Sequence, residues 1–157
     1  MKGNAEVIAV LNSLLADEFT AIHTYILHAE MCQNWGYERL HATIKKHAID
    51  EMKHAEDLVE RILFLDGTPN MTGILPLRIG AGVKQQLEND LGLEAEAVTS
   101  YNGYIRIASE AGDNASRELF ERLLKVEEGH VDWIETQLHQ IGEIGLDRYL
   151  SQQIREG

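Results

Sequence analysis

Cysteine is nearly missing from this chain. Cys32 is the single one in 157 residues, so no intrachain disulfide can form and no thiolate metal site can be built, an inventory that suits a reducing cytoplasm. Proline is almost as scarce: both prolines fall between residues 66 and 82, leaving long stretches on either side free to be helical. Aromatic residues make up only 6%, and no alternation rich in Val, Thr and aromatics recurs, so an all-α fold is expected. Long hydrophobic runs are absent too. The opening "MKGNAEVIAVLNSLLADE" has an apolar run of only five residues before Asn12, too short for the central region of a signal peptide, and the longest elsewhere, "ILFL" at residues 62–65, cannot span a bilayer. Basic charge is in short supply, with 14 Lys and Arg against 26 Asp and Glu and a formal net charge of −12. That excludes a clustered basic grip on nucleic acid and makes cations the expected partners, although acidity also serves plain solubility.

What is present is helical, and 44% hydrophobic content over this length fits one soluble domain, residues 1–157. Asn4 can cap a first helix that runs to about Trp35 and stops at Gly36, and a second runs from about Tyr37 to Leu65. "DGTPNMTGILPLRIGAG", residues 66–82, concentrates turn residues and reads as a long ordered crossover. A third helix is expected from about Val83 to Ala111, a fourth from about Asn114 to Ile141 with Gly142 as its stop, and a short fifth from about Leu146 to Ile154. Two helical hairpins joined by one long connection describe a four-helix bundle of the ferritin-like kind.

Acids fall in the apolar seams of these helices. Steps of three and four residues line up Val7, Leu11, Leu14, Glu18, Ile22 and Tyr25 on the first helix. The second aligns Leu40, Ile44, His47, Glu51, His54 and Leu58, the third Val83, Leu87, Asp90, Glu94, Ala97 and Tyr101. The fourth aligns Phe120, Leu123, Glu127, His130, Ile134, Leu138 and Ile141. A Glu-x-x-His pair by itself says little, because a glutamate-rich chain with 7 histidines meets that spacing by accident. Register separates signal from accident. Glu18, Glu51 and His54 recur 76 residues later as Glu94, Glu127 and His130, and Tyr25 recurs as Tyr101. The remaining pair, Glu38 and His41, maps onto Asn114 and Arg117 and is read as solvated surface. The repeat implies a pseudo-twofold site shared by the two hairpins.

Four buried carboxylates without counterions would each cost several kcal/mol, so something positive is expected among them. Two divalent cations balance the charge and leave neutral imidazoles as further ligands. One carboxylate and one His can terminate each ion, with Glu51 and Glu127 placed to bridge. Oxygen-rich donors with one nitrogen per ion suit iron or manganese better than structural zinc. One Glu from each of two helices plus Glu-x-x-His from each of the other two is the donor set by which ferritin-like di-iron and di-manganese carboxylate proteins are known.

Nearly the whole chain resembles bacterioferritin. The likeness is carried by "MKG" at the start, "IDEMKHAEDLVERILFLDGTPN" at 49–70, "EEGHVDWIETQL" at 127–138 and the closing "YLSQQIREG". The resemblance implies a di-iron ferroxidase centre of Glu18, Glu51, His54, Glu94, Glu127 and His130. It implies a homo-oligomer, a 24-subunit hollow shell built from haem-linked dimers, that oxidises Fe(II) with oxygen or hydrogen peroxide and stores ferric mineral. A ferredoxin-type reductant for iron release, a cytoplasmic location, and no nucleic-acid or membrane partner belong to the same expectation. Met52 follows Glu51 by about 100° of helical turn and must leave the inward face. It is either a gap-filler between subunits, beside an apolar stripe of Phe19, Ile22 and Ile26, or, as the resemblance implies, the axial ligand of haem b shared by two subunits.

Other positions carry weaker expectations. Tyr25 resembles the family's redox-active tyrosine and is equally read as core packing. Asp90, one turn before Glu94, is expected to hydrogen-bond a ligand. The family has a histidine where this chain has Lys46, which leaves Asp50 as the remnant of an inner-surface iron site, with His47 next door on the core stripe. Asn34, Asp66 and Asp132 are placed near helix ends where the family has iron pores, or serve as caps and solvated acids, and Trp35 and Trp133 read as packing. Two rival readings remain open from the residues: a non-storage di-iron or di-manganese peroxidase or catalase-like protein, and a helical assembly module holding structural metal.

Overall fold

The computed structural model describes residues 1–155. Its described residues form α1 (Ala5–Asn34), α2 (Glu38–Phe64), α3 (Val83–Glu110), α4 (Asn114–Ile144) and α5 (Leu146–Ser151), with no strand among them. α1 begins where the sequence places it: the Asn4 side chain accepts from the backbone N–H groups of Glu6 and Val7, satisfying two donors that a helix start leaves free. Two boundaries differ from expectation. α4 continues through Gly142 and ends at Gly145, whose φ of 84° is left-handed. A glycine inside a packed helix costs about 1 kcal/mol relative to Ala, and only a backbone turned to positive φ ends the helix there. α5 closes at Ser151, short of Ile154.

α1 packs antiparallel on α2 and α3 on α4, and α1 also lies against α3. Arg61 of α2 ties the hairpins at one end, donating to Asp113 Oδ1 at 2.7 Å and to Ser116 Oγ at 2.9 Å. The crossover, residues 65–82, is held along α1 by side chains eight residues apart. Asn12 bonds the backbone of Thr68 and Asn70, the hydroxyl of Thr20 accepts from Leu75 N at 3.0 Å, and His28 Nε2 accepts from Gly80 N at 3.1 Å. Gly80 is required there, since a Cβ would lie 2.3 Å from the backbone nitrogen of Gln86.

The core comes in two apolar blocks. One gathers Leu11, Leu15, Leu58, Ile62, Phe120 and Leu123, and the other Tyr25, Leu40, Ile44, Leu87, Ile134 and Ile141. Each fully buried Leu or Phe contributes about 1.5–3 kcal/mol. Between the blocks lies a polar layer made by the inward acids and histidines. The expected seams are buried along their length except at Ile22, Ala97 and Leu138, which are half-buried. Ile22 instead faces an outer groove.

Candidate metal centre

Glu18, Glu51, His54, Glu94, Glu127 and His130 all lie at 4% exposure or less, midway along four different helices. Their ligand atoms form two quartets: Glu18, Glu51, His54 and Glu127, and Glu51, Glu94, Glu127 and His130, the atoms of each quartet lying within 4.8 Å of one another. Glu51 and Glu127 belong to both. The 76-residue offset in sequence is thus an approximate twofold in space.

The histidines face this cluster through Nδ1. His54 Nδ1 lies 3.0 Å from Glu127 Oε1 and 3.5 Å from Glu18 Oε1. His130 Nδ1 lies 3.0 Å from Glu51 Oε1, 3.2 Å from Glu94 Oε1 and 3.4 Å from Glu127 Oε2. Proximity is not pairing, however. Glu18 Oε2, Glu51 Oε1 and Glu127 Oε2 are buried with no aligned hydrogen-bond donor, so the short contacts to His130 leave two of these oxygens unsatisfied. An orphaned buried carboxylate oxygen is costly, and three converging on one small space fit a cation.

Two tyrosines cross between the hairpins. Tyr101 donates to Glu18 Oε1 at 2.6 Å, and Tyr25 donates to Glu94 Oε1. Each half of the chain therefore orients the outer glutamate of the other half. Burial first, and the adjacent carboxylates next, hold both phenols well above their usual range, which keeps them as donors.

Protons show how the cluster tolerates itself when no ion is bound. Burial and the neighbouring Glu18 and Glu127 push the Glu51 carboxyl far up, and burial with Glu127 raises Glu94 to about 8. Burial alone would lower both histidines, but bonds to Glu127 and Glu18 raise His54 to about 9, and bonds to Glu127 and Glu94 raise His130 to about 10. Burial of four acids is thus not by itself proof of metal, because protons can neutralise them; the sharper sign is the gathering of all six side chains into two quartets that share Glu51 and Glu127. At pH 7 Glu94, His54 and His130 hold protons that coordination must displace. Loading with a divalent ion at pH 7 is therefore expected to release about three protons per chain, read with an indicator dye in weak buffer. The release shrinks, and affinity rises, as pH climbs from 8 to 10; release of less than about one proton contradicts the assignment.

Several expected residues land elsewhere. Asp90 touches no member of the cluster: its Oδ1 pairs with His28 Nδ1 at 2.9 Å, both fully buried, locking α1 to α3. His41 is half-buried and bonds Ala29 O at 2.9 Å, so it is not solvated surface. Asp132 lies within α4, not near a helix end, while Asp66 follows α2 and faces the Met1 amino group at 3.4 Å. Trp35 is 38% exposed at the end of α1, which is little packing. Lys46 is exposed.

Three contacts lay outside the sequence reading. Asp50 Oδ2 lies 3.2 Å from His130 Nε2, a carboxylate–histidine pairing that fixes the ring behind a ligand atom. His47 stacks on His130 with ring centroids 4.1 Å apart and meets Trp133 edge-on at 5.1 Å. Burial, then His130, lower its pKa to about 4, so it packs as a neutral ring. Last, a cavity of about 130 Å³ beside the crossover is lined by the buried Glu18, Glu51 and Glu94 and by the more exposed Asp17, Arg78 and Glu96. The lone cation of the crossover was its one signal in the sequence.

Met52 does leave the inward face. It is 45% exposed and borders a groove of about 430 Å³ lined with Phe19, Ile22, Ala55, Val59, Leu63 and Met71.

A bundle of two hairpins with a long crossover, carrying inward glutamates on all four helices and a Glu-x-x-His on two, is the architecture of the ferritin-like class. The ferritin-like domain family matches residues 8–144. Among relatives, bacterioferritin of Brucella melitensis biotype 1 is 44% identical over 149 residues, covering 95% of this chain and 92% of the relative. Bacterioferritin of Mycobacterium avium is 39% identical over 152 residues, 97% and 96% of the two chains, and that of Rhodobacter capsulatus 41% over 145, 92% and 90%. The chain belongs to the bacterioferritins. Among the described residues no helix is long and apolar enough to cross a membrane.

Proposed function

We propose that this chain is the subunit of an iron store that oxidises ferrous ions at the six-residue cluster and deposits ferric mineral within a 24-subunit shell in the cytoplasm. The observation that carries the reading is the pair of quartets sharing Glu51 and Glu127. Two ferrous ions, taken as substrate, would each be held by one outer glutamate and one histidine, Glu18 with His54 and Glu94 with His130, with Glu51 and Glu127 between them. Each ion gives up one electron. One hydrogen peroxide accepts both with two protons and leaves as two waters, or one oxygen accepts both with two protons and leaves as hydrogen peroxide. The chain's part is to bring two cations together in a dry layer, where Tyr25 and Tyr101 hold the outer carboxylates in position. Tyr25 in addition offers an oxidisable phenol beside Glu94.

The groove around Met52 fits haem b. Its lining is apolar, a thioether stands at its rim, and a second copy of the chain would bring a second Met52. Bound there, haem would carry electrons toward the mineral for iron release, drawn from a ferredoxin-type reductant. Asp50, already beside His130, is left without a histidine at position 46 to form an inner-surface iron site.

Anaerobic addition of Fe(II) to the metal-free assembled protein, followed by air, tests this reading. The expected result is a fast rise in ferric absorbance that saturates at two irons per chain, then slower growth with iron retained in a shell-sized particle. No ferric rise, or a particle smaller than a shell, contradicts storage. Peroxide turnover without iron retention would point to the catalase-like alternative.

A further inference from the structure

The cavity beside the crossover carries five acids, Asp17, Glu18, Glu51, Glu94 and Glu96, and one cation, Arg78. Glu18, Glu51 and Glu94 are its buried lining residues and belong to the cluster. Nearer solvent, the Arg78 guanidinium grips Glu96 with both terminal nitrogens, at 3.2 and 2.8 Å. The backbone around Arg78 is fixed on three sides. Leu75 N is tied to Thr20 and Gly80 N to His28, and Asn89 Nδ2 donates to Arg78 O at 3.1 Å. The side chain is not fixed in the same way. Arg78 is 47% and Glu96 67% exposed, and an ion pair that open to water holds weakly. Gly92 of α3 lies beside the guanidinium, where a Cβ would fall 3.5 Å from Nη1.

We propose that Arg78 is the gate of this cavity. Paired with Glu96, it lies across the mouth and opposes cations with the only positive charge on the lining. An aquated divalent cation is admitted by taking Glu96 from the arginine, whose side chain swings into solvent, with Asp17 on the same lining as a further carboxylate. A water-sized neutral oxidant meets no such barrier. The proposal rests on the reading of the cluster as a ferrous-ion site, and it makes Arg78 a determinant of how fast ions arrive, not of how they are held.

Stopped-flow mixing of the assembled, metal-free protein with Co(II) in the absence of oxygen tests it, following the visible absorbance of bound cobalt. R78Q is expected to raise the arrival rate about 3–10-fold, as loss of the one opposing charge on an acid-lined cavity that focuses the field implies, with the final spectrum and stoichiometry unchanged. K84Q removes the same charge from α3 at an exposed site whose partner is Glu88 and is expected to change the rate less than about twofold. Equal rates in R78Q and wild type, or equal acceleration in R78Q and K84Q, would overturn the gate while leaving the centre standing. Absence of the cobalt signal in the wild type would overturn the centre and its gate together.

Discussion

Glu127→Gln is expected to abolish the fast phase of ferrous oxidation, slowing the initial rate at least about 100-fold, since loss of a shared ligand exceeds the 10–100-fold typical of outer hydrogen-bond partners. Glu127 is one of the two acids shared by both quartets of the cluster. It lies 3.0 Å from His54 and 3.4 Å from His130, and it is fully buried. An amide of the same shape keeps the packing of α4 but removes one charge and one bridging oxygen. Cobalt stoichiometry in the variant is therefore expected to fall from two ions per chain to one or fewer. Glu94→Gln makes the useful comparison, because Glu94 belongs to one quartet only. It should cost about 10-fold and leave the Glu18–His54 ion in place. Equal behaviour of the two variants would mean that the shared position of Glu127 is irrelevant. Circular dichroism and particle size confirm that each variant still folds and assembles.

The second large effect is on haem. Met52→Leu is expected to yield a purified shell without the low-spin haem spectrum, while ferrous oxidation stays within about twofold of wild type, since the side-chain volume is nearly conserved and only the thioether is removed. Adjacent residues divide the labour by helical geometry: Glu51 faces the axis at 2% exposure, and Met52, a quarter-turn on, faces the outer groove at 45%. Retention of the spectrum in the leucine variant would remove Met52 as axial ligand and return it to gap-filling between subunits.

Much of the centre was legible in the sequence because a core position is a strong constraint. Glu18, Glu51, His54, Glu94, Glu127 and His130 fall on apolar stripes with helical period, and a repeated offset of 76 residues separated them from Glu38 and His41. What periodicity cannot give is which neighbour across the bundle a side chain will meet. Asp90 sits one turn from Glu94, and nearness along α3 suggested a ligand partner. His28 on α1 is its partner instead, 2.9 Å away, and only the lateral placement of α1 against α3 decides that. The same limit hid the crossed tyrosines. Tyr25 and Tyr101 were visible as a register pair, but that each serves the other hairpin's glutamate depends on how the hairpins are rotated about their common axis. His47 was visible on the seam. Its stack against His130 depends on a rotamer that sequence does not encode. Gly142 misled for a different reason, since glycine ends a helix only where the backbone turns to positive φ, as it does at Gly145.

The crossover was read as ordered without any indication of what orders it. Asn12, Thr20 and His28 recur every eight residues on α1 and bind four separate points of that segment. Polar residues at such spacing on an otherwise packed helix resemble a solvated edge until the strap they hold is in place. The strap in turn carries Arg78 to the mouth of the cavity, so admission to the centre depends on contacts more than fifty residues apart in the chain.

The account depends on two cations fitting between four glutamates and two histidines. Crystals soaked anaerobically with ferrous salt and measured at the iron absorption edge test it most directly. The prediction is two anomalous peaks per chain about 3.5–4 Å apart, one beside Glu18 and His54 and the other beside Glu94 and His130, with Glu51 and Glu127 between them. A single peak, or density for iron only outside this layer, would contradict it.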